Sequence, residues 1–589
     1  MVRAAAVSRL VFVAFSVGAA EMPRPDDPSH FTAADKQAIL ALARRAAAEG
    51  EAAFDPATMP AKLLRSTGRP LLLSAHLPGK EPLVAAAAQG TLFEQLRKAA
   101  LELRATGRLA PLSNVRLKVD IVLDSSPVEP GGRGLPVLGM DGLRVRTGAE
   151  ELFLPPSEAL RLDLADGDAF VRHALEQLKP PAGGPRDVSI ERLGTLSFMD
   201  REPGGKGPPV DLYRSMPLVE EATRRRLLAA CEAAADWLLR SQKPDGSFHY
   251  LYNAAKDQVA EGEHEVVRHA GTAWSLAQAY AATGRRRFRD GAYRALEWLL
   301  GHARTRGEMA WIEHEGKCPL GAAALAVVAL LEYRAAAGAR RFDKDIRRLG
   351  RFLIFMQRDD GFFWSHYDSK GERGFFPDGY VPLFEPGEAF LALVRLQRTL
   401  PDPVWQAAVG KAAEFVLTKR DAWYYEHDLP MIHPDSWTMM ALEELHAAGA
   451  ARRAHADYCF FLAQQILDEQ EDAGTARWRD HAGAHRVPIG APEAAVVAAR
   501  CEGLLAAWRL ARRMGAATND CRHAILASAR FQLAHQVDTA NSYLLPNPSR
   551  ALGGFYASYA DHTIRIDYVQ HNISSLLGVA QILEAEGGE

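Results

Sequence analysis

The sequence predicts a two-part chain: an N-terminal α+β domain followed by an all-α ring of six helical hairpins. Three observations predict it. One helix pattern recurs six times between residue 218 and the C-terminus, pairing small residues with Leu and ending in a polar or Gly-containing stop. Strand-like alternation is confined to the first 200 residues. Between the two lies a Gly/Pro stretch, Pro203-Gly-Gly-Lys-Gly-Pro-Pro209. Repeats of this length mean stacked or closed arrays of helical hairpins.

The first twenty residues read as a secretory signal. Arg3 and Arg9 give a positive start, Leu10 to Val17 an apolar run, and Gly18-Ala-Ala20 a small-residue cleavage site. The expectation is an exported, periplasmic or extracellular protein with no transmembrane segment in the mature chain. Residues 21–31 form a Pro/Asp-rich linker. Thr32-Ala-Ala-Asp35 then caps a helix through about Ala46. Strands are expected at Leu71–His76 and Leu117–Leu123, with a helix from Leu92 to Arg104 between them. A hairpin follows Gly139-Met-Asp-Gly142, then a helix from Gly167 to Leu178 and a last strand from Val188 to Phe198. The expected boundaries are 32–200 for this domain, 201–217 for a Gly/Pro-rich linker and 218–589 for the helical ring.

Bulk composition excludes some functions. Net charge is −3 over 589 residues, with 24% charged and 48% hydrophobic residues. That is ordinary globular composition and argues against a nucleic-acid binder working by bulk charge. The runs Arg224-Arg-Arg226 and Arg285-Arg-Arg-Phe-Arg289 read as solvated helix faces. The five cysteines include no Cys-x-x-Cys pair, and four fall in helix-like patterns where a buried free thiol is the default. No cofactor and no metal is expected; His481 and His485 lie in a Gly/Ala-rich loop with no helix to fix them as ligands.

The first domain resembles the AMMECR family over about residues 32 to 200. The resemblance rests on Leu40-Ala-Leu-Ala-Arg-Arg45, on Leu109-Ala-Pro-Leu112 before the strand from Arg116, and on Gly139-Met-Asp-Gly-Leu-Arg-Val-Arg146 leading to Leu152-Phe-Leu-Pro-Pro156. The family's Arg-Gly-Cys-Ile-Gly-Ser hallmark is replaced by Lys80-Glu-Pro-Leu-Val-Ala-Ala-Ala-Ala-Gln-Gly90. This implies a structural or docking module without a catalytic assignment. The helical region resembles the six-hairpin glycosidase-like superfamily of (α/α)6 toroids over about 218 to 587, on its six hairpins and the turns Pro244-Asp-Gly-Ser-Phe248 and Asp359-Asp-Gly-Phe-Phe363. The ending Arg565-Ile-Asp-Tyr-Val-Gln-His571 is also similar to the tail of glucuronyl epimerases. That superfamily holds hydrolases, lyases and epimerases acting on sugars, so the resemblance implies a carbohydrate substrate better than a reaction.

Aligning the six inner helices on their last apolar anchors (Tyr280, Tyr333, Leu396, Leu445, Leu510, Ile582) places His269, Ala322, Glu385, Pro434, Ala499 and His571 at one shared position. Asp435 and Arg500 stand one step further in, and Glu388 one turn after Glu385. Helix N-termini favour anions, so a ring of such ends suits a sugar carboxylate or an ionised acid. Two chemistries fit. Glycoside hydrolysis needs paired carboxylates, available from Glu385, Glu388, Asp435 and Asp567. Epimerase or lyase chemistry needs a base and a cation, available from His269 and His571 with Arg268, Arg565 and Tyr568. The aromatic loops add Tyr250, Trp364, Tyr367 and Trp423 as faces for a sugar ring. The bland alternatives are that the acids are helix caps and the aromatics seal the barrel. A glycosidase-like hydrolase leads on superfamily frequency; a uronyl epimerase or lyase and a non-catalytic glycan- or peptide-binding scaffold stay open.

Overall fold

The computed structural model describes residues 31–50, 61–65, 68–109, 111–129, 132–148, 150–178, 188–262, 264–368, 371–375, 381–427, 429, 433–488 and 490–587. The signal segment and residues 21–30 of the first linker lie outside them.

The chain is multidomain, an α+β unit followed by an (α/α)6 toroid. The sheet of the first part is antiparallel throughout and contains β1 (Leu71–His76), β2 (Leu83–Ala87), β3 (Arg116–Pro127), β4 (Asp141–Thr147), β5 (Glu150–Leu154), β6 (Val188–Met199), β7 (Val210–Tyr213) and β8 (Met216–Pro217). The order is β2-β1-β3-β6-β4-β5, with β7 paired to β6 and β8 to β7. Alternation along each strand sorts its side chains. Leu71, Leu73, Leu117, Val119, Ile121 and Phe198 share a core with the helices Ala33–Glu49 and Leu92–Ala105. Both helices open with a Thr capping box, Thr32 with Asp35 and Thr91 with Glu94.

Two features differ from the sequence expectation. The replaced hallmark run contributes β2, an added strand against β1. The stretch read as the linker 201–217 carries β7 and β8, which extend the sheet to eight strands. A Gly/Pro-rich composition marked the turn at Pro203–Pro209 and hid the short strands beyond it.

The other face of this sheet packs on the toroid. His76 meets the ring of Tyr543 edge-on at 4.8 Å, and Arg116 donates to the Ala540 carbonyl at 3.4 Å. Arg214 stacks 3.5 Å over Tyr559 and pairs with Asp480 at 3.1 Å. Buried apolar residues of the first part, among them Leu143, Val145 and Phe170, belong to the same continuous core as the inner helices.

The toroid closes. Its inner helices are Val266–Thr283, Leu320–Ala337, Glu385–Thr399, Ser436–Ala447, Ala494–Met514 and Ile566–Ala585. Each packs on the next, and the sixth packs back on the first. Trp274, Leu325, Leu391, Met440, Leu505 and Leu577 all lie on them. The outer helices are Arg224–Ser241, Arg286–Gly301, Asp343–Met356, Pro403–Thr418, Arg453–Glu469 and Asn519–His535. The 18-residue helix Leu320–Ala337 is long and apolar enough to cross a membrane, but 72% of it is buried as the second inner helix. A helix apolar all round belongs in a core as readily as in a bilayer.

A repeated turn fixes where the mouth loops leave the outer helices. Four outer helices end at a Gln: Gln242, Gln357, Gln470 and Gln536. Each Gln amide donates to the carbonyl of a Gly in its own turn and to a carbonyl of the next outer helix, at Gly291, Ala408, Ala524 and Ala230 respectively. The turn glycines Gly246, Gly361, Gly483 and Gly553 have φ between +86° and +98°. A Cβ on any of them would lie 2.1–2.3 Å from a carbonyl oxygen of that neighbouring helix. Glycine is therefore required twice over, by conformation and by approach.

Candidate functional site at the toroid mouth

The loops from outer to inner helices bring three groups of side chains to the N-terminal ends of the inner helices. The first is an ion network. Asp567, in the first turn of the sixth inner helix, accepts from Arg565 Nε at 2.6 Å and Nη2 at 2.8 Å. It also pairs with Arg268 of the first inner helix at 3.0 Å. Arg268 donates to the Tyr250 hydroxyl at 2.6 Å, and its side chain stays 38% exposed. Arg565 lies 4.3 Å over the ring of Tyr568. Glu265 caps the first inner helix, accepting from the Val267 and Arg268 amides. These bonds fix the start of that helix and the root of the Arg268 side chain.

The second group is a His–Glu pair. His571 Nδ1 lies 2.9 Å from Glu502 Oε2, on the fifth inner helix. Glu502 is almost fully buried, whereas the His571 side chain is 18% exposed. Burial opposes a charge on His571, but Glu502 and then Asp567 outweigh it, so its pKa stands above the ordinary imidazole value. With Nδ1 engaged, Nε2 is left to exchange a proton with a ligand. The Trp437 ring lies 5.9 Å away.

The third is Glu388, buried on the third inner helix with Oε2 unpartnered. Burial raises its pKa well above the usual carboxylate value, and the charges of Glu385, Asp435 and Glu265 push it further, against Arg268. Both effects favour its protonated form. Gly321 makes room for it, since a Cβ there would lie 2.4 Å from Glu388 Oε2.

The structure thus brings together Tyr250, Arg268, Glu388, Arg565, Asp567, Tyr568 and His571 from the expected set. Others it places elsewhere. His269 is turned outward: its Nε2 bonds the Ala295 carbonyl at 3.0 Å and its ring stacks on Trp298, both on an outer helix. Burial holds its pKa down at about 3, so it is a neutral packing residue. Arg500 pairs with Glu469 at the end of an outer helix, at 2.5 Å. Asp435 is an N-cap that accepts from the Trp437 and Thr438 amides and the Thr438 hydroxyl. Its cavity, about 20 Å³, is shared with Arg420 and Tyr424 and lined in part by the outer helix Pro403–Thr418. Glu385 opens the third inner helix and bears on the site through its charge on Glu388. Of the aromatics, Trp423 packs on Phe362 and His427, Tyr367 on Trp311 and Phe352, and Trp364 on Phe375. Those three seal the loops, because flat apolar faces covering a helix end exclude water whether or not a ligand is near.

Glu502 is the residue the sequence reading missed. A signal for it existed. Glu388 and Glu502 each stand three residues after the aligned position of their helices (Glu385, Ala499), as does Trp437 after Pro434. That register, one helical turn further in, carries Glu388, Glu502 and Trp437, whereas His571 reaches the site from the aligned position itself.

Among the described residues no group of three or more His, Cys, Asp or Glu side chains is arranged to hold a metal ion. The five cysteines are free thiols.

The sequence matches no known family pattern and no curated protein. Among solved structures it is similar to a D-mannose isomerase, at 14% identity and TM-score 0.45, covering 62% of this chain and 99% of that one. It is similar to cellobiose 2-epimerase from Spirochaeta thermophila, at 16% identity and TM-score 0.45, covering 62% of this chain and 97% of that one. An uncharacterized protein from Pyrococcus horikoshii matches at 19% identity and TM-score 0.26, covering 31% of this chain and 98% of that one.

Proposed function

We propose that the chain is a carbohydrate-active enzyme whose chemistry at the toroid mouth is proton transfer at a sugar carbon next to a carbonyl or carboxylate, of the isomerase, epimerase or lyase kind. The observation that carries this reading is the 2.9 Å bond between His571 Nδ1 and Glu502. In this scheme neutral His571 takes the carbon-bound proton on Nε2, and Glu502 stabilises the imidazolium that forms. Arg268, partly exposed beside it, stabilises the developing oxyanion or holds the uronic carboxylate. Glu388, whose raised pKa favours the protonated form, supplies a proton from another side of the mouth.

Hydrolysis by paired carboxylates is the second reading, favoured by the raised pKa of Glu388, which suits a general acid. It also needs an ionised carboxylate free to act. Asp567 is held by two guanidiniums and Asp435 by three cap bonds, which is why proton transfer is preferred. We also propose, on the sequence features alone, that the protein is exported and that its first domain is AMMECR-like, serving structure or docking.

The test is a panel of aldoses, ketoses, uronic acids and uronate-containing oligosaccharides followed by proton NMR. Isomer formation, or an unsaturated uronate, supports the reading. Release of saturated reducing ends alone would replace it with hydrolysis.

A further inference from the structure

A second cavity lies on the ring axis beyond the mouth, towards the C-terminal ends of the inner helices. Its volume is about 320 Å³. With a liquid-water share of about 30 Å³, that is room for about ten waters, or one sugar-sized molecule. Its wall is polar where a ring interior is normally apolar. Glu502 and Gln278 are part of it, and Oε1 of each is buried without a hydrogen-bond partner. Two acceptors left so are costly unless something donates to them.

The charges on this wall are unequal in their compensation. Arg395 is held by Glu444 at 2.8 Å and lies 3.9 Å from Glu332, which also accepts from the Trp274 indole at 3.4 Å. Arg509 has no carboxylate at ion-pair distance among the described residues; its Nη2 donates to the Gln581 amide oxygen at 3.0 Å. Gly578 leaves room chiefly for Leu505, whose Cδ1 would lie 2.5 Å from a Cβ there, with Arg509 Nη2 beside it at 3.4 Å. The cavity thus offers a guanidinium with no carboxylate at ion-pair distance among the described residues, two side chains that each carry an acceptor without a donor, and the indole of Trp274.

We propose that this far-end cavity binds a small polyhydroxylated anion, a sugar acid or sugar phosphate, whose acidic group pairs with Arg509 and whose hydroxyls donate to Glu502 and Gln278. Glu502 is shared between the two ends of the axis. Its Oε2 bonds His571, and the residue is also part of the wall of this cavity. A hydroxyl donated to Oε1 takes up part of the carboxylate's charge, so His571 is left with a weaker partner. Binding at one end therefore reaches the mouth through a single side chain, whatever reaction the mouth performs.

The test is calorimetric titration of the full chain with gluconate, glucose 6-phosphate and glucose at pH 7. Binding of either anion with no measurable binding of glucose is expected, and the better anion tells carboxylate from phosphate. Arg509→Met should weaken binding at least about tenfold. Ala282→Trp, at an exposed position on the cavity rim, should do the same without touching the core. Arg268→Ala and Glu388→Gln, at the mouth, should leave the affinity unchanged. His571, followed by NMR, should titrate at lower pH in the saturated protein. The proposal is overturned if neither anion binds, if glucose binds equally well, if the mouth variants abolish binding while Ala282→Trp keeps it, or if the His571 titration does not move. Turnover is not measured, so failure of the proposed reaction would leave this result standing.

Discussion

Gln536 closes the ring. Its amide donates to the Ala230 carbonyl at 2.8 Å, joining the end of the last outer helix to the first, and to the Gly553 carbonyl at 3.1 Å. Its backbone carbonyl accepts from Asn541 at 2.7 Å. The same bond at Gln242, Gln357 and Gln470 joins neighbours that are already consecutive in the chain. Only at Gln536 does it join the two ends of the toroid. Gln536→Leu would leave two carbonyls without this donor and is expected to cost about 1–3 kcal/mol. Chemical denaturation measures this, and a variant as stable as the parent would show that the seam is held elsewhere.

The turn glycines make a sharper test of the same motif. Gly553→Ala forces φ near +86° on an L residue and puts a methyl 2.1 Å from the Ala233 carbonyl oxygen. Gly284 also has positive φ, +66°, but faces open space. Gly284→Ala should therefore cost about 1 kcal/mol from conformation alone. Gly553→Ala should cost several times as much or fail to fold, as read by melting temperature and soluble yield.

Glu388 should be a site where function opposes stability. Its folded pKa is raised, so the proton it keeps in the folded state favours folding below the unfolded value, and that advantage is lost as pH climbs towards the folded value. Above the unfolded carboxylate pKa, wild type is therefore penalised and a Gln at this position is not. Glu388→Gln is expected to melt higher than wild type at pH 8, to differ less at pH 4, and to lose turnover by about 10² or more. Equal melting at both pH values would mean that the carboxyl is not buried as described.

Removing the first domain should do more than detach it. Deleting residues 21–205 takes away β6, the partner of β7, and uncovers Tyr543, Tyr559 and His562. The truncated chain is expected to be less soluble and to melt several degrees lower. Arg116→Ala, which removes the bond to the Ala540 carbonyl across the interface, should reproduce part of the loss. Unchanged melting in both would show that the interface contributes no stability.

The sequence carried the ring more clearly than the site. Small residues with Leu at helical spacing identify helices that pack closely on two sides, and six of them with short turns leave few arrangements but a closed one. Rotation about each helix axis is a different matter. Leu320–Ala337 is buried on nearly every side, so its pattern does not say which face meets the axis. Alignment on apolar anchors therefore put His269 and His571 at one position, although one packs on Trp298 and the other bonds Glu502. Asp435 was equally legible as cap and as acid, because a buried cap and a catalytic carboxylate share a residue type and a place. Glu502 stood out in neither role until its partner on another helix was known.

The central claim is that His571, oriented by Glu502, moves a proton at a sugar carbon. The direct measurement is solvent deuterium appearing at that carbon, read by NMR in the substrate or product the panel identifies. Wild type should incorporate deuterium, with an acid limb set by a His571 pKa above 6.5, since the neutral imidazole is the base. Glu502→Gln should move that limb to lower pH, and His571→Asn should suppress incorporation by about 10² or more in a folded protein. Undiminished incorporation in folded His571→Asn, or turnover in wild type with no deuterium in the product, would contradict the account.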